Sequence, residues 1–321
     1  MMRAQHLESC LFLGFQSVFI FIISRSTSLQ RKLLLQYNGI SMILSALSDP
    51  QEHDDVVRAV ESLAYLISNS NVRLPEPIPL CLLFIGKDQD HFGKPVAEFP
   101  TKKRKMEMCC SNSVNNSSTG CRYNENTTVP YNVTLKLDSE EFIRAHRSVL
   151  SAFSEVFSAM LSSDYAEAKQ PEVIVKDMNY DVLLFLVHYA YGCQRYLPED
   201  TTTDPATLCA LFEKCLPSDH SLADFDFLLD LLVCADRFLL DGLKYQCQQL
   251  LIHCVNKHRV VDAYLCGTCY NASELRDFSL KYVFLGNLDL RCVYDCMRRL
   301  LESNERRCVF EDLKRVAHSC L

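Results

Sequence analysis

The stretch from Glu141 to Glu167, EFIRAHRSVLSAFSEVFSAMLSSDYAE, constrains the fold of this chain more than any other part of it. A short strand runs into His146-Arg147 and then into an amphipathic run, in which Val149, Leu150, Phe153, Phe157 and Met160 fall at helical spacing on one face. Ser154 interrupts that run. Its hydroxyl can accept from the free N–H groups of a helix that starts just after it, so the spacing predicts two short helices in series. No Asp-His-Ser order, glycine-rich loop or metal-ligand cluster lies within the stretch. It reads as a docking scaffold and not as a reaction centre, with Val149, Phe153 and Phe157 expected in the core.

The flanking sequence predicts a small sheet around this run. Val133, Leu135 and Leu137 alternate with Thr134 and Lys136, a period of two. Asp138-Ser139 reads as a turn, Phe142–Arg144 as a returning strand, and Glu172–Val175 as a third strand. A helix follows from about Asn179 to Tyr191, with Asn179 as its cap and Gly192 at its end. Residues 194–222 are polar and Pro-bearing and read as a loop insertion. From Phe225 to Cys320 the pattern is helical throughout.

Composition limits the function classes. At 321 residues the chain can hold about two domains on the rough scale of 100–200 residues each. A hydrophobic content of 48% supports real cores, and a formal charge of −7 gives no case for direct nucleic-acid binding. Cysteine is abundant, with 17 residues. Cys234, Cys247, Cys254, Cys292 and Cys296 sit in apolar helical patterns, where cysteine behaves as a small buried hydrophobe, and this favours a reducing cell interior over a disulfide framework. Leu11–Ser24 is the one membrane-like segment. It is too short to span a bilayer, is interrupted by Gln16 and Ser17, and lacks a small-x-small cleavage site, so it reads as a buried helix and no membrane partner is expected. The sequons at Asn115, Asn116, Asn126, Asn132 and Asn271 would matter only in a secreted protein.

The first 70 residues read as helices. Arg31–Leu47 gives an amphipathic helix that turns at Asn38-Gly39 into another, and Val56–Ile67 gives a third with Val57, Val60, Leu63 and Ile67 at apolar positions. This order resembles an armadillo repeat and is read as a partial α-solenoid piece. A solenoid generally needs three or more repeats. Fewer than two fit here, which predicts a truncated isoform, a partial gene product or the tail of a longer array. Residues 71–128 read as a largely disordered linker, with a short apolar piece at Leu80–Ile85 that reads as a strand. The run Lys102-Lys103-Arg104-Lys105 within it is a candidate nuclear-import patch, set against a plain solvated basic run.

The strand–strand–helix–helix–strand–helix order, with FIRAHRSVLSAFSEVFSAM at its centre and LLDLLVCADRFLLDGLKYQCQQLLIHCV after the loop, resembles a BTB/POZ domain over residues 129–255. The fold class is thus expected to be α+β, with Phe142, His146, Arg147, Leu150 and Phe157 as its structural signature. Residues 256–321 resemble the helical BACK-like extension of cullin-3 adaptors. Armadillo-like helices ahead of a BTB domain resemble the armadillo-repeat-containing protein 5 family. That resemblance implies a substrate adaptor of a cullin-3 RING ubiquitin ligase, with the RNA polymerase II largest subunit as substrate and action in the nucleus and cytoplasm. Partners implied are the cullin-3 N-terminal region and a second BTB copy.

Within the family the cullin contact is a hydrophobic-x-Glu motif after the second helix, which falls here on Tyr165-Ala166-Glu167. An aromatic anchor buries large area and a carboxylate accepts hydrogen bonds that fix register. The competing reading is that Tyr165 covers the domain's own core and Glu167 is solvated. Many BTB domains have an acid where this chain has Asn132, near the position of Arg147, and losing it puts dimer-pocket chemistry in doubt. A BTB self-association scaffold or transcriptional co-regulator is the alternative, although no DNA-reading module is visible.

No enzyme is expected, and no cofactor. His146 follows a strand and precedes a helix, but in BTB domains such a histidine packs structurally. His253 and His258 with Cys266 and Cys269 have zinc-type identities in the reverse of the usual finger order, and His253 and Cys254 lie on an apolar helix, so no metal site is expected. Cys266 and Cys269 lack the preceding strand of a thioredoxin-like redox turn.

Overall fold

The computed structural model describes residues 39–48, 53–78, 123, 129–161, 171–192 and 225–319. These fall in two compact units. One joins the described residues up to Glu76 to those from Val255 onward, and the other runs from Pro77 to Cys254.

In the Pro77–Cys254 unit the sheet has the order β2-β1-β3. Strand β1 (Val133–Leu137) pairs antiparallel with β2 (Phe142–Ala145) and parallel with β3 (Glu172–Val175). The period of two is realised: Val133, Leu135 and Leu137 are buried with Ile143, Ala145, Val173 and Val175. Parity then decides the fate of Phe142. Ala145 and Ile143 oppose Val133 and Leu135 on the inner face, so Phe142, opposite Lys136, points outward and is 52% exposed. The buried strand residue is Ile143, and Phe142 is a surface residue with the Arg144 guanidinium 5.6 Å from its ring centre.

Helices α3 (Arg147–Phe153) and α4 (Glu155–Leu161) follow β2, broken at Ser154 as its capping chemistry predicts. Leu150 and Phe157 are fully buried, whereas Val149 and Phe153 are only half-buried. The helix axis changes at Ser154, so one straight apolar face cannot continue through both helices. Helix α5 (Tyr180–Ala190) starts where Asn179 Oδ1 accepts from the Asp181 N–H at 2.9 Å. Just beyond its end Gly192 takes a φ of +74°, a backbone conformation that glycine adopts without penalty. Helices α6 (Phe225–Arg237) and α7 (Asp241–Cys254) are the last described elements of this unit.

The other unit contains α1 (Gly39–Ser48), α2 (His53–Ser68), α8 (Val260–Cys269), α9 (Ser273–Leu285), α10 (Leu290–Glu302) and α11 (Arg306–Ser319). The apolar positions Ile43, Leu47, Val60, Leu63 and Ile67 are buried, and α2 packs against α9, α10 and α11. The C-terminal helices therefore cover the apolar face of the N-terminal pair. Val57, expected on that face, is half-buried. Gly267 allows α8 and α9 to close on each other: a Cβ there would meet the Arg276 nitrogen at 2.9 Å and the Ala272 carbonyl at 3.1 Å, both backbone atoms that cannot move aside cheaply.

Ser279 on α9 is fully buried, and its hydroxyl has no hydrogen-bond partner among the described residues. A buried polar group left unpaired costs about 1–3 kcal/mol, so Ser279→Ala is expected to leave the melting temperature unchanged or raise it. A clear fall in the thermal midpoint would contradict this. Among the described residues, no helix is long and apolar enough to cross a membrane. Cys234, Cys247, Cys254 and Cys296 are buried as their helical positions predict, and burial pushes the Cys234 thiol up to about 12. Cys292 departs from that expectation. It lies in the first turn of α10, half-buried, where its N–H and thiol both approach the capping carboxylate of Asp289.

Candidate functional site

The candidate site is built around the β2–α3–α4 segment. His146 sits between strand and helix, and both its ring nitrogens are engaged inside the domain. Nε2 lies 3.2 Å from the Val129 carbonyl and Nδ1 lies 2.7 Å from the Tyr191 hydroxyl, which also accepts from the His146 backbone N–H at 3.0 Å. A carbonyl can only accept, so the proton is assigned to Nε2, and Nδ1 accepts from the Tyr191 hydroxyl. Burial raises the Tyr191 phenol well above its usual range, which keeps that hydroxyl proton in place. Tyr123 packs its ring against Tyr131, His188 and Tyr191 and donates to the Arg144 carbonyl at 2.7 Å. This is a satisfied structural network, and His146 is one of its struts.

Asn132 and Arg147 do meet. The Asn132 side-chain oxygen accepts from the Arg147 backbone N–H at 2.8 Å, and Arg147 Nε lies 3.3 Å from the Asn132 carbonyl. Helix α3 lacks a cap from its own His146, so the amide of a neighbouring strand segment satisfies one of its free donors. A neutral acceptor stands where an acid would have added charge.

The elbow at Ser154 is the most constrained part of the site. Its hydroxyl donates to the Phe238 carbonyl at 2.8 Å and accepts from the Phe157 N–H at 3.3 Å. Phe157 and Phe238 stack with ring centres 4.4 Å apart. The turn joining α6 to α7 holds Leu239 at a φ of +54° and leaves it 62% exposed. A leucine in that conformation carries both backbone strain and an unburied apolar side chain.

Tyr165, Glu167 and the basic run Lys102-Lys103-Arg104-Lys105 lie outside the described residues, as do Leu11–Ser24, Leu80–Ile85 and residues 194–222. His253 Nε2 lies 2.8 Å from the Ile78 carbonyl, and Cys254 beside it is buried. Among the described residues, no group of three or more His, Cys, Asp or Glu side chains is arranged to hold a metal ion.

Residues 123–213 match the family model of the BTB/POZ domain. The chain carries a BTB/POZ domain. Its relatives include protein maternal effect lethal 26 of Caenorhabditis elegans, 33% identical over 144 residues that make up 44% of this chain and 30% of that protein. Kelch-like protein 4 of Homo sapiens is 49% identical over 59 residues, 18% of this chain and 8% of the human one. Armadillo BTB Arabidopsis protein 1 of Arabidopsis thaliana is a distant homologue, 25% identical over 144 residues, 45% of this chain and 16% of the plant protein. The match thus spans less than a third of the length of each of these relatives. The matched residues gather Tyr123, Tyr131, His146, His188 and Tyr191 into one cluster, and they supply Ser154 and Phe157, which meet Phe238 beyond the match at the elbow.

Proposed function

We propose that the chain is a non-catalytic substrate adaptor of a cullin-3 ubiquitin ligase, recruiting a protein substrate for ubiquitination. The BTB domain would bind the cullin-3 N-terminal region and a second BTB copy. The reading is supported by the BTB domain, its Kelch-like relative and the Tyr165-Ala166-Glu167 sequence that follows soon after α4. The observation that carries it furthest is the Ser154 elbow, which fixes α4 to the α6–α7 turn by a hydrogen bond and ring stacking. A rigid helix directly ahead of a short recognition motif limits the entropy lost when a partner binds. Leu239 beside that elbow adds exposed apolar surface for the same partner.

The order of N-terminal helices and BTB domain is similar to armadillo-repeat-containing protein 5, which implies the RNA polymerase II largest subunit as substrate, with nuclear and cytoplasmic action. Of this proposal, the cullin contact can be tested most directly. The full chain is expected to bind the cullin-3 N-terminal region, and Tyr165→Ala and Glu167→Ala are each expected to weaken binding by roughly 30-fold or more, the loss typical of truncating a central anchor. Calorimetry on folded variants measures this. Unchanged affinity in both variants sinks the site, and no binding by the parent chain sinks the ligase reading.

A further inference from the structure

The C-terminal helices hold two thiols that the adaptor reading does not use, and the helix directions place them at the same end of the unit. Cys296 Sγ lies 4.0 Å from the Lys257 carbonyl, and Arg299 donates to Asp262 at 2.9 Å. These two contacts advance together along the chain, so α10 runs in the same direction as α8. Helix α11 returns after the turn at 303–305 and so runs opposite to α8. The Tyr264 hydroxyl donates to Asp312 at 2.8 Å, and this fixes the register of the pair. From that contact Cys269 lies about 7.5 Å further along α8, and Cys308 lies about 6 Å back along α11, at 1.5 Å per residue. In antiparallel helices these displacements bring the two residues level at the same end.

Cys269 is exposed and Cys308 is half-buried, in contrast to the buried Cys234, Cys247, Cys254 and Cys296. We propose that Cys269 and Cys308 are an oxidisable pair that closes to a disulfide between α8 and α11 when hydrogen peroxide is present. The Cys269 thiolate attacks the peroxide O–O bond, takes one oxygen as sulfenic acid and releases the other as water. The Cys308 thiolate then attacks that sulfur; the S–S bond forms, the S–O bond breaks, and the oxygen leaves as a second water. Two electrons pass from the sulfurs to the peroxide. Partial burial, then Glu305 and Cys308, raise the Cys269 thiol above its ordinary range. Only thiolate reacts, so the pair closes slowly at neutral pH and faster as pH rises. The bond staples the helix that carries Tyr264 to the helix that carries Asp312. It does not depend on the adaptor reading.

The test uses the full chain, reduced, freed of reductant and treated with hydrogen peroxide, then alkylated and mapped by mass spectrometry without reduction. The expected product is a peptide pair joined through Cys269 and Cys308 with the loss of two hydrogens. It should be reversed by dithiothreitol, formed faster at pH 8 than at pH 7, and absent from Cys269→Ser and Cys308→Ser. The oxidised parent should also melt at a higher temperature than the reduced parent. Recovery of both cysteines as separate alkylated or sulfinic forms overturns the proposal. So does their joining to other cysteines, including Cys266 one turn back on α8. The mapping of the parent chain decides even if a serine variant fails to fold.

Discussion

An Asp312→Ala chain is expected to lose about 3–5 kcal/mol of stability in the unit that contains α8, α9 and α11, because breaking a buried ion pair leaves its partners uncompensated. Asp312 is 5% exposed, and three groups converge on its carboxylate. The Tyr264 hydroxyl donates to Oδ2 at 2.8 Å, Arg276 Nε forms an ion pair with the same oxygen at 3.1 Å, and Arg315 donates to Oδ1 at 2.7 Å. The first two contacts tie α11 to α8 and α9, and the third lies within α11 itself. Tyr264 is fully buried, and burial together with the Asp312 hydrogen bond holds its phenol far above the usual range, so it remains a donor. Removing the carboxylate strands a buried hydroxyl and a mostly buried guanidinium at once. Arg315 is half-exposed, and Arg315→Ala should cost no more than about 1 kcal/mol, as exposed ion pairs do. Amide hydrogen exchange resolved to α8, α9 and α11 measures both. A loss below about 1 kcal/mol for Asp312→Ala would show that the carboxylate is not the hub of this unit.

How much of this was legible in the sequence depends on how local each cause is. The strands follow from alternation within a few residues, and the α3–α4 break follows from one serine that prefers a cap to a helix interior. Asn179 and Gly192 bracket α5 for similarly local reasons. Phe142 was not legible, because a strand's inward parity is set by its partner, and β1 assigns Ile143 and Ala145 to the core. Leu239 carries none of the glycine or asparagine signal that usually marks a positive φ, so its turn is imposed by tertiary packing, including the Ser154 bond to the residue before it. The tyrosines that hold His146 lie well away from it in sequence, and no spacing rule joins Tyr191 to His146. The same holds for α1 and α2. Their apolar stripe was visible, but the helices that cover it come from the other end of the chain.

Phe157→Ala is expected to cost the BTB domain about 3–5 kcal/mol, the range for deleting a buried aromatic ring. Phe157 is fully buried and stacked on Phe238, whose own carbonyl receives the Ser154 hydroxyl. One ring therefore supports both the packing and the hydrogen bond that orient α4. Phe157→Leu keeps much of the volume and should cost distinctly less, while Ser154→Ala should cost about 1–3 kcal/mol by leaving a buried carbonyl unpaired. Denaturant unfolding of the three variants gives the ordering Ala at 157, then Ala at 154, then Leu at 157. A Phe157→Ala loss near 1 kcal/mol would mean that the cavity collapses and that the elbow is not fixed by this ring. The comparison with Tyr165→Ala separates architecture from recognition. A truncation at Phe157 should lower stability first and cullin binding only as folded protein is lost, whereas one at Tyr165 should lower binding with stability intact. If both variants lose stability in parallel, Tyr165 covers the domain's own core, and the recognition site must be sought elsewhere on the BTB surface.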